Sequence, residues 1–254
     1  MNDNNLGWQR DLIKYAREYD SLAFEDIQET FRRVEILKSL ETFSWSSIIE
    51  VGCGNISILT KLKEFEKAAI IEPISDFLQK NLSVLNFDAR VDGFEGTLQQ
   101  YAALSNKKWD VCILSSLLHE VEDQSEMLRN CANILKPNGT LIVDVPNAMS
   151  IHRILAANKG LINDVFEISD TQKLMQQTKP PFSSDSLGDL LKENGFTVSK
   201  MRTIFPKLLD HKSLSNALKA GRISMEFLSQ INELDRELEP FGSEILVLAN
   251  KAKA

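Results

Sequence analysis

A chain of 254 residues with 43% hydrophobic residues can bury one generous domain, or one domain with an appendage. Its formal charge of -7 argues against nonspecific attraction to nucleic acid or anionic membrane, which is mainly electrostatic, and favours a small-molecule partner. No apolar run approaches the roughly 20 residues of a membrane span, the start Met1-Asn2-Asp3-Asn4-Asn5 lacks the basic character of a secretory signal, and the cytoplasm is the expected compartment. Cys53, Cys112 and Cys131 are too widely spaced for a zinc site or a disulfide framework and read as reduced thiols.

In chain order, residues 8–43 show helical spacing: Leu12, Tyr15, Ala16 and Tyr19, then Phe24, Ile27, Phe31, Val34 and Leu37, with charges between them. They form a helical extension over 1–44, ahead of a main domain over 45–254. The first strand, Ile48-Ile49-Glu50-Val51, runs into Gly52-Cys53-Gly54, and a second apolar run, Ala69-Ile70-Ile71, ends in Glu72-Pro73. Two strands that end in carboxylates, the first entering Gly-x-Gly, describe the opening of a nucleotide-binding α/β sheet. The glycines allow the unusual backbone angles of the turn and leave no Cβ in a cofactor's way. Glu72 stands where the hydroxyls of a ribose find their acceptor.

The choice of nucleotide turns on Glu50. A dinucleotide fingerprint carries a third glycine where this chain has Ser57, and a carboxylate before the turn would repel a pyrophosphate while suiting an ammonium and a sulfonium. Here the sequence resembles the class I S-adenosylmethionine-dependent methyltransferases, whose first motif, acidic-x-Gly-x-Gly, is matched by Glu50, Gly52 and Gly54. The resemblance implies that Glu50 and the turn, Cys53 included, hold the methionine part of S-adenosylmethionine, that Glu72 and Pro73 hold its ribose, and that Tyr19 covers it. Two alternatives stay open: an NAD(P)-dependent oxidoreductase, which shares the early strands, and a cofactor-binding but catalytically silent protein, because Ile56 stands where the family has glycine.

Further along, 57–65 and 76–85 read as crossover helices, and 87–91 as a third strand ending in Asp92-Gly93-Phe94. The resemblance gives Asp92 and Gly93 the adenine. The fourth strand, Trp109–Ser115, continues into a loop carrying His119, which resembles the family's fourth motif; Ser115 there borders the cofactor, and His119 is a candidate ligand contact or base. A helix over 124–135 stops at Lys136-Pro137-Asn138-Gly139, close to the family's Lys-Pro-Gly-Gly, before a fifth strand over 140–145. Five such units argue for a parallel sheet with helices on both faces.

Beyond the fifth strand an insertion over about 147–182 lies where a substrate lid belongs. Its Pro146-Asn147-x-x-Ser150-x-His152-Arg153 is similar to segments of bacterial glycan and natural-product methyltransferases. His152 is the candidate general base or substrate hydrogen-bond partner, Arg153 the partner of a substrate anion, and Asn147 a further substrate contact. A helix then ends at Asn194-Gly195, sixth and seventh strands begin at Phe196 and Glu244, and 205–241 is a second helical insertion that could be lid, substrate wall or homodimer surface. The resemblance implies an α/β, Rossmann-like sheet of seven strands in the order 3-2-1-4-5-7-6, strand 7 antiparallel. The expected activity is methyl transfer to a small molecule, at an oxygen of a sugar or other metabolite.

Overall fold

A computed structural model describes residues 11–19, 22, 24–234 and 237–252, the side chain of Tyr19 excepted. Among the described residues lies one seven-stranded sheet in the order β3-β2-β1-β4-β5-β7-β6, with β1 Ser47–Val51, β2 Lys67–Glu72, β3 Val91–Glu95, β4 Trp109–Ser115, β5 Leu135–Pro146, β6 Phe196–Ile204 and β7 Glu244–Lys251. Strands 1 to 5 pair in parallel, and β7 lies antiparallel between β5 and β6.

Strand alternation divides the core. Ile48 faces a cluster with Ile36 and Leu40 of helix α2 (Glu25–Leu40) and Leu78 of α3 (Ser75–Val84). Ile49 and Val51 face the opposite cluster, filled by Leu98 and Tyr101 of α4 (Leu98–Leu104), Leu128 and Cys131 of α5 (Gln124–Ile134) and Leu187 and Leu191 of α8 (Ser184–Glu193). Because residues two apart share a face, Glu50 lies on the side of Ile48, Asp144 on that of Ile142, and Glu244 on that of Leu246. Three acidic residues at the strand tips therefore lie on the face that α2 covers.

Three local expectations are corrected. The helical preface is two helices, α1 (Leu12–Tyr19) and α2, separated where Phe24 takes a left-handed backbone (φ 70°) as the N-cap of α2. The first crossover holds only a 3-10 turn, Ile58–Lys61, after which Leu62 is extended; its adjacent Ile58 and Leu59 are both buried, which a turn held against the sheet achieves and a one-faced helix does not. The third strand begins four residues later than its apolar run suggests. Asn86 and Phe87 adopt positive φ in a turn, and Phe87 is 66% exposed, so that run is not a buried strand.

The two insertions stand over the carboxyl ends of the strands. The first carries α6 (Ile151–Asn158) and α7 (Asp170–Leu174), and the second α9 (His211–Lys219) and α10 (Met225–Glu233). No helix among the described residues is long and apolar enough to cross a membrane.

Candidate active site

A cavity of about 770 Å³ opens along the carboxyl ends of β1 to β5, where Glu50 to Gly54, Ile71 to Ile74, Gly96 to Leu98, Ser115 to Leu117 and Pro146 with Asn147 form its wall. This is the switch point of the sheet, where strand order reverses between β1 and β4.

Its first end is the glycine turn. Gly52 (φ 72°) and Gly54 (φ 58°) hold left-handed backbone, and a Cβ on Gly52 would come within 2.9 Å of Leu117 Cδ2. Beneath the turn, the Glu50 carboxylate accepts from the Ser57 hydroxyl and, at 3.1 Å, from the Ile58 N–H, so it braces the 3-10 turn as well as lining the cavity. Glu72 accepts the N–H groups of Gly54 (3.2 Å) and Ile74 (3.0 Å). Both carboxylates are 3% exposed, and neither has an ion-pair partner within 4.0 Å among the described residues. Burial pushes Glu50 up to about 7 against the opposing bonds from Ser57 and Ile58, and raises Glu72 as well. Burial and the two nearby carboxylates also raise the Cys53 thiol, which stays protonated 3.7 Å from Glu72. Buried carboxylates facing a cavity without a cation are costly alone. They fit a ligand that brings positive charge and hydroxyl donors, as S-adenosylmethionine would.

The second end is assembled from distant segments. From α2, Arg32 binds Glu244 at 2.5 Å, Asp144 at 3.0 Å and Glu25 at 3.1 Å, tying the tips of β5 and β7 together. Gln28 donates to Glu244 (2.6 Å) and accepts from Lys207 Nζ (2.6 Å), which also meets His211 Nε2 at 2.5 Å. His152 lines the same cavity, and its buried Nδ1 has no hydrogen-bond partner among the described residues. Desolvation, reinforced by the positive charge of Lys207, drives His152 down to about 2 and His211 to about 3, so both imidazoles are neutral at physiological pH. Sequence reading missed Gln28, Arg32, Lys207, His211 and Glu244. The one local signal was a lysine and a histidine four residues apart behind Pro206.

Of the sequence candidates, Glu50, Gly52, Cys53, Gly54, Glu72, Pro73, Ser115, His119, Asn147, His152 and Arg153 all lie on the cavity wall. The side chain of Tyr19 lies outside the described residues; Tyr15, one turn earlier, lines the cavity and donates to Glu120 at 3.0 Å, which also accepts from Gln177 of the first insertion. Asp92 and Gly93 are corrected. They sit inside β3 and away from the cavity, with Asp92 in an exposed ion pair to Lys107; the strand ends instead at Glu95, and Gly96, Thr97 and Leu98 face the cavity. Asn147 is corrected in role, because its amide donates to the Pro240 and Gly242 carbonyls and accepts from the Met149 N–H. It stitches the two insertions together, both its amide hydrogens are taken up in doing so, and only its carbonyl oxygen keeps a lone pair. Arg153 donates to the carbonyls of Val165 and Glu167 and so fastens the first insertion. His119 is buried 3.9 Å from Glu120. Ile56 is 42% exposed and turned away from the cavity, so its departure from glycine leaves the turn unobstructed.

A sequence family described as a methyltransferase domain matches residues 15–200. The ubiquinone biosynthesis O-methyltransferase of Rickettsia canadensis is 25% identical over 162 residues, covering 61% of this chain and 64% of that protein. The human mitochondrial ubiquinone biosynthesis O-methyltransferase is 21% identical over 187 residues, 69% and 50% of the two chains. This chain thus spans between half and two thirds of the length of these curated relatives. Among solved structures, the N-methyltransferase NodS from Bradyrhizobium japonicum, in complex with S-adenosyl-L-homocysteine, superimposes with a TM-score of 0.55 at 12% identity over 99% of this chain and 94% of that one. An S-adenosylmethionine-dependent methyltransferase from Mesorhizobium loti gives 0.57 at 16% identity over 87% and 98%. At these identities the likeness speaks for the fold.

Proposed function

The chain belongs to the methyltransferase-domain family, and we propose that it transfers a methyl group from S-adenosylmethionine to an oxygen of a small metabolite held at the inner end of the cavity. The observation that carries this reading is the division of one cavity into two chemistries. Buried carboxylates with no ion-pair partner within 4.0 Å among the described residues line one end, and neutral imidazoles line the other.

When bound, S-adenosylmethionine supplies a methyl group already activated by its sulfonium, so the protein's share of the work is alignment. Glu72 holds the ribose hydroxyls, Glu50 and the glycine turn receive the methionine part, and Gly96 to Leu98 take the place first given to Asp92 beside the adenine. His152 presents its unpartnered Nδ1 to the acceptor hydroxyl. Methylation of a hydroxyl releases one proton: the neutral imidazole orients that hydroxyl without adding a positive charge beside the sulfonium, takes the proton on Nδ1 as the sulfonium becomes a thioether, and yields it to water. The names of the curated relatives, both O-methyltransferases, support oxygen as the methylated atom. Tyr15, Glu120 and Gln177 tie α1 to the first insertion over this region and help to exclude water.

Calorimetric titration with S-adenosylhomocysteine and with NADH, followed by transfer of labelled methyl to a panel of hydroxylated metabolites, tests the reading. Binding of S-adenosylhomocysteine but not NADH is expected. His152→Ala is expected to lower turnover about 10- to 100-fold with cofactor affinity retained. Absence of S-adenosylhomocysteine binding would sink the proposal, and full activity of His152→Ala would remove that residue's role.

A further inference from the structure

The segment that delivers Lys207 is bent against backbone preference. Phe205 adopts φ 51°, a conformation costly for a residue with a side chain and maintained only where packing over-determines it. The packing is an aromatic stack: Phe205 lies on Phe31 with ring centroids 4.5 Å apart and on Phe24 at 6.1 Å, and Phe24 in turn meets His211 at 5.6 Å. Leu214 and Leu228 complete this separate apolar cluster. The stack therefore fixes both the bend that brings Pro206-Lys207 to the cavity and the ring beside it.

Lys207 is only 6% exposed, yet among the described residues no carboxylate lies within 4.0 Å of its ammonium. Its close partners are the neutral Gln28 and His211. The acidic groups acting on it from the elements around it are Glu244 of β7, Glu25 of α2 and Asp210, and the first two are held by Arg32. Arg32 itself acts on it as a like charge. An ammonium has three donors; Gln28 Oε1 takes one, and His211 Nε2, itself 2.6 Å from Gln28 Oε1, takes at most one more, which leaves at least one for the cavity that Lys207 lines. A buried cation with only neutral partners pays a desolvation cost that an incoming anion offsets.

We propose that Lys207, seated by Gln28 and His211, anchors a carboxylate of the methyl acceptor, so that the substrate is a small hydroxy acid whose hydroxyl reaches His152. This assignment rests on the methyltransferase reading and names the substrate class of the same site. Burial lowers Lys207 to about 8. The anchor is therefore charged at pH 7 and is lost as pH rises through that value, and a bound carboxylate holds the proton on.

The test uses the full chain saturated with S-adenosylhomocysteine, titrated calorimetrically with 3,4-dihydroxybenzoate, salicylate and glycerate and with the amide of each. At pH 7 at least one acid is expected to bind about tenfold or more tightly than its amide. That preference should shrink between pH 7 and 9 in the unmodified protein, and vanish in Lys207→Met while S-adenosylhomocysteine affinity stays within about threefold. No acid preferred over its amide at pH 7, a preference undiminished at pH 9, or one that survives Lys207→Met, overturns the proposal. Because the pH series needs no variant, a poorly folding Lys207→Met does not shield it. Failure of S-adenosylhomocysteine to bind is a separate result, which removes the methyltransferase reading and this proposal with it.

Discussion

The two ends of the cavity are built on opposite plans. The cofactor end comes from consecutive residues, Glu50 to Gly54, closed by Glu72 only 18 positions beyond the amide it binds. The end proposed for the acceptor is gathered from α2, α6, the 205–211 segment and the start of β7, and its central ion pair joins positions 212 apart. Backbone geometry makes the first end, since glycines and N–H groups do most of the holding. Side-chain charge makes the second, where one guanidinium organises three carboxylates. Damage to either should therefore look different.

Arg32→Met should have the largest effect. It leaves Asp144 and Glu244 buried beside each other without a cation, which costs about 3–5 kcal/mol and lowers the melting temperature by about 10 °C or more. The folded fraction at low temperature should still bind S-adenosylhomocysteine, and adding Glu244→Gln should recover part of the stability. If the single variant melts like the wild type, the guanidinium does not hold the acceptor end together.

Gly52→Val should reverse the pattern. Positive φ and the approach to Leu117 strain the turn by about 2–3 kcal/mol, and the branched side chain enters the cofactor's space. S-adenosylhomocysteine affinity is expected to fall about a hundredfold, with a smaller loss of melting temperature than in Arg32→Met. Calorimetry and melting curves together separate the two variants, and undiminished affinity would mean that the cofactor does not approach this turn.

Glu50→Gln should be the mildest, and it depends on pH. Burial holds Glu50 at about 7 against an ordinary 4.5, so the folded protein keeps the proton that the unfolded chain gives up. The stability linked to that proton is fully present below about 4.5 and is lost as pH rises through about 7. Without cofactor, Gln at this position should raise stability by up to about 3 kcal/mol at pH 8 and leave it unchanged at pH 4. The same substitution should weaken binding of the cationic S-adenosylmethionine. A stability difference independent of pH would show that Glu50 does not titrate in this range.

The same contrast governs how much could be read from the sequence. The strands and the glycine turn were legible because periodicity and contiguous motifs carry them, and the strand order followed from the family resemblance that those motifs support. The start of β3 was not, because the apolar run near Phe87 is interrupted by a turn in which two non-glycine residues take positive φ, and propensity gives no warning of that. Asp92 was misplaced by the same shift. That His152 lies beside the cavity was legible because its motif lies close to a strand end. Lys207 and His211 were missed because their meaning depends on Gln28, Arg32 and Glu244, far apart in the chain and joined only by the antiparallel insertion of β7. Asn147 was found but given the wrong task, since its amide answers to the carbonyls of residues 240 and 242.

The bond between Arg32 and Glu244 also sets an order of assembly. A ribosome making this chain has completed the glycine turn and Glu72 once residue 72 has emerged, and contacts of such short range form early. The guanidinium of Arg32 meets its principal partner only 212 positions after its own. That end of the cavity is complete only when β7 has entered between β5 and β6.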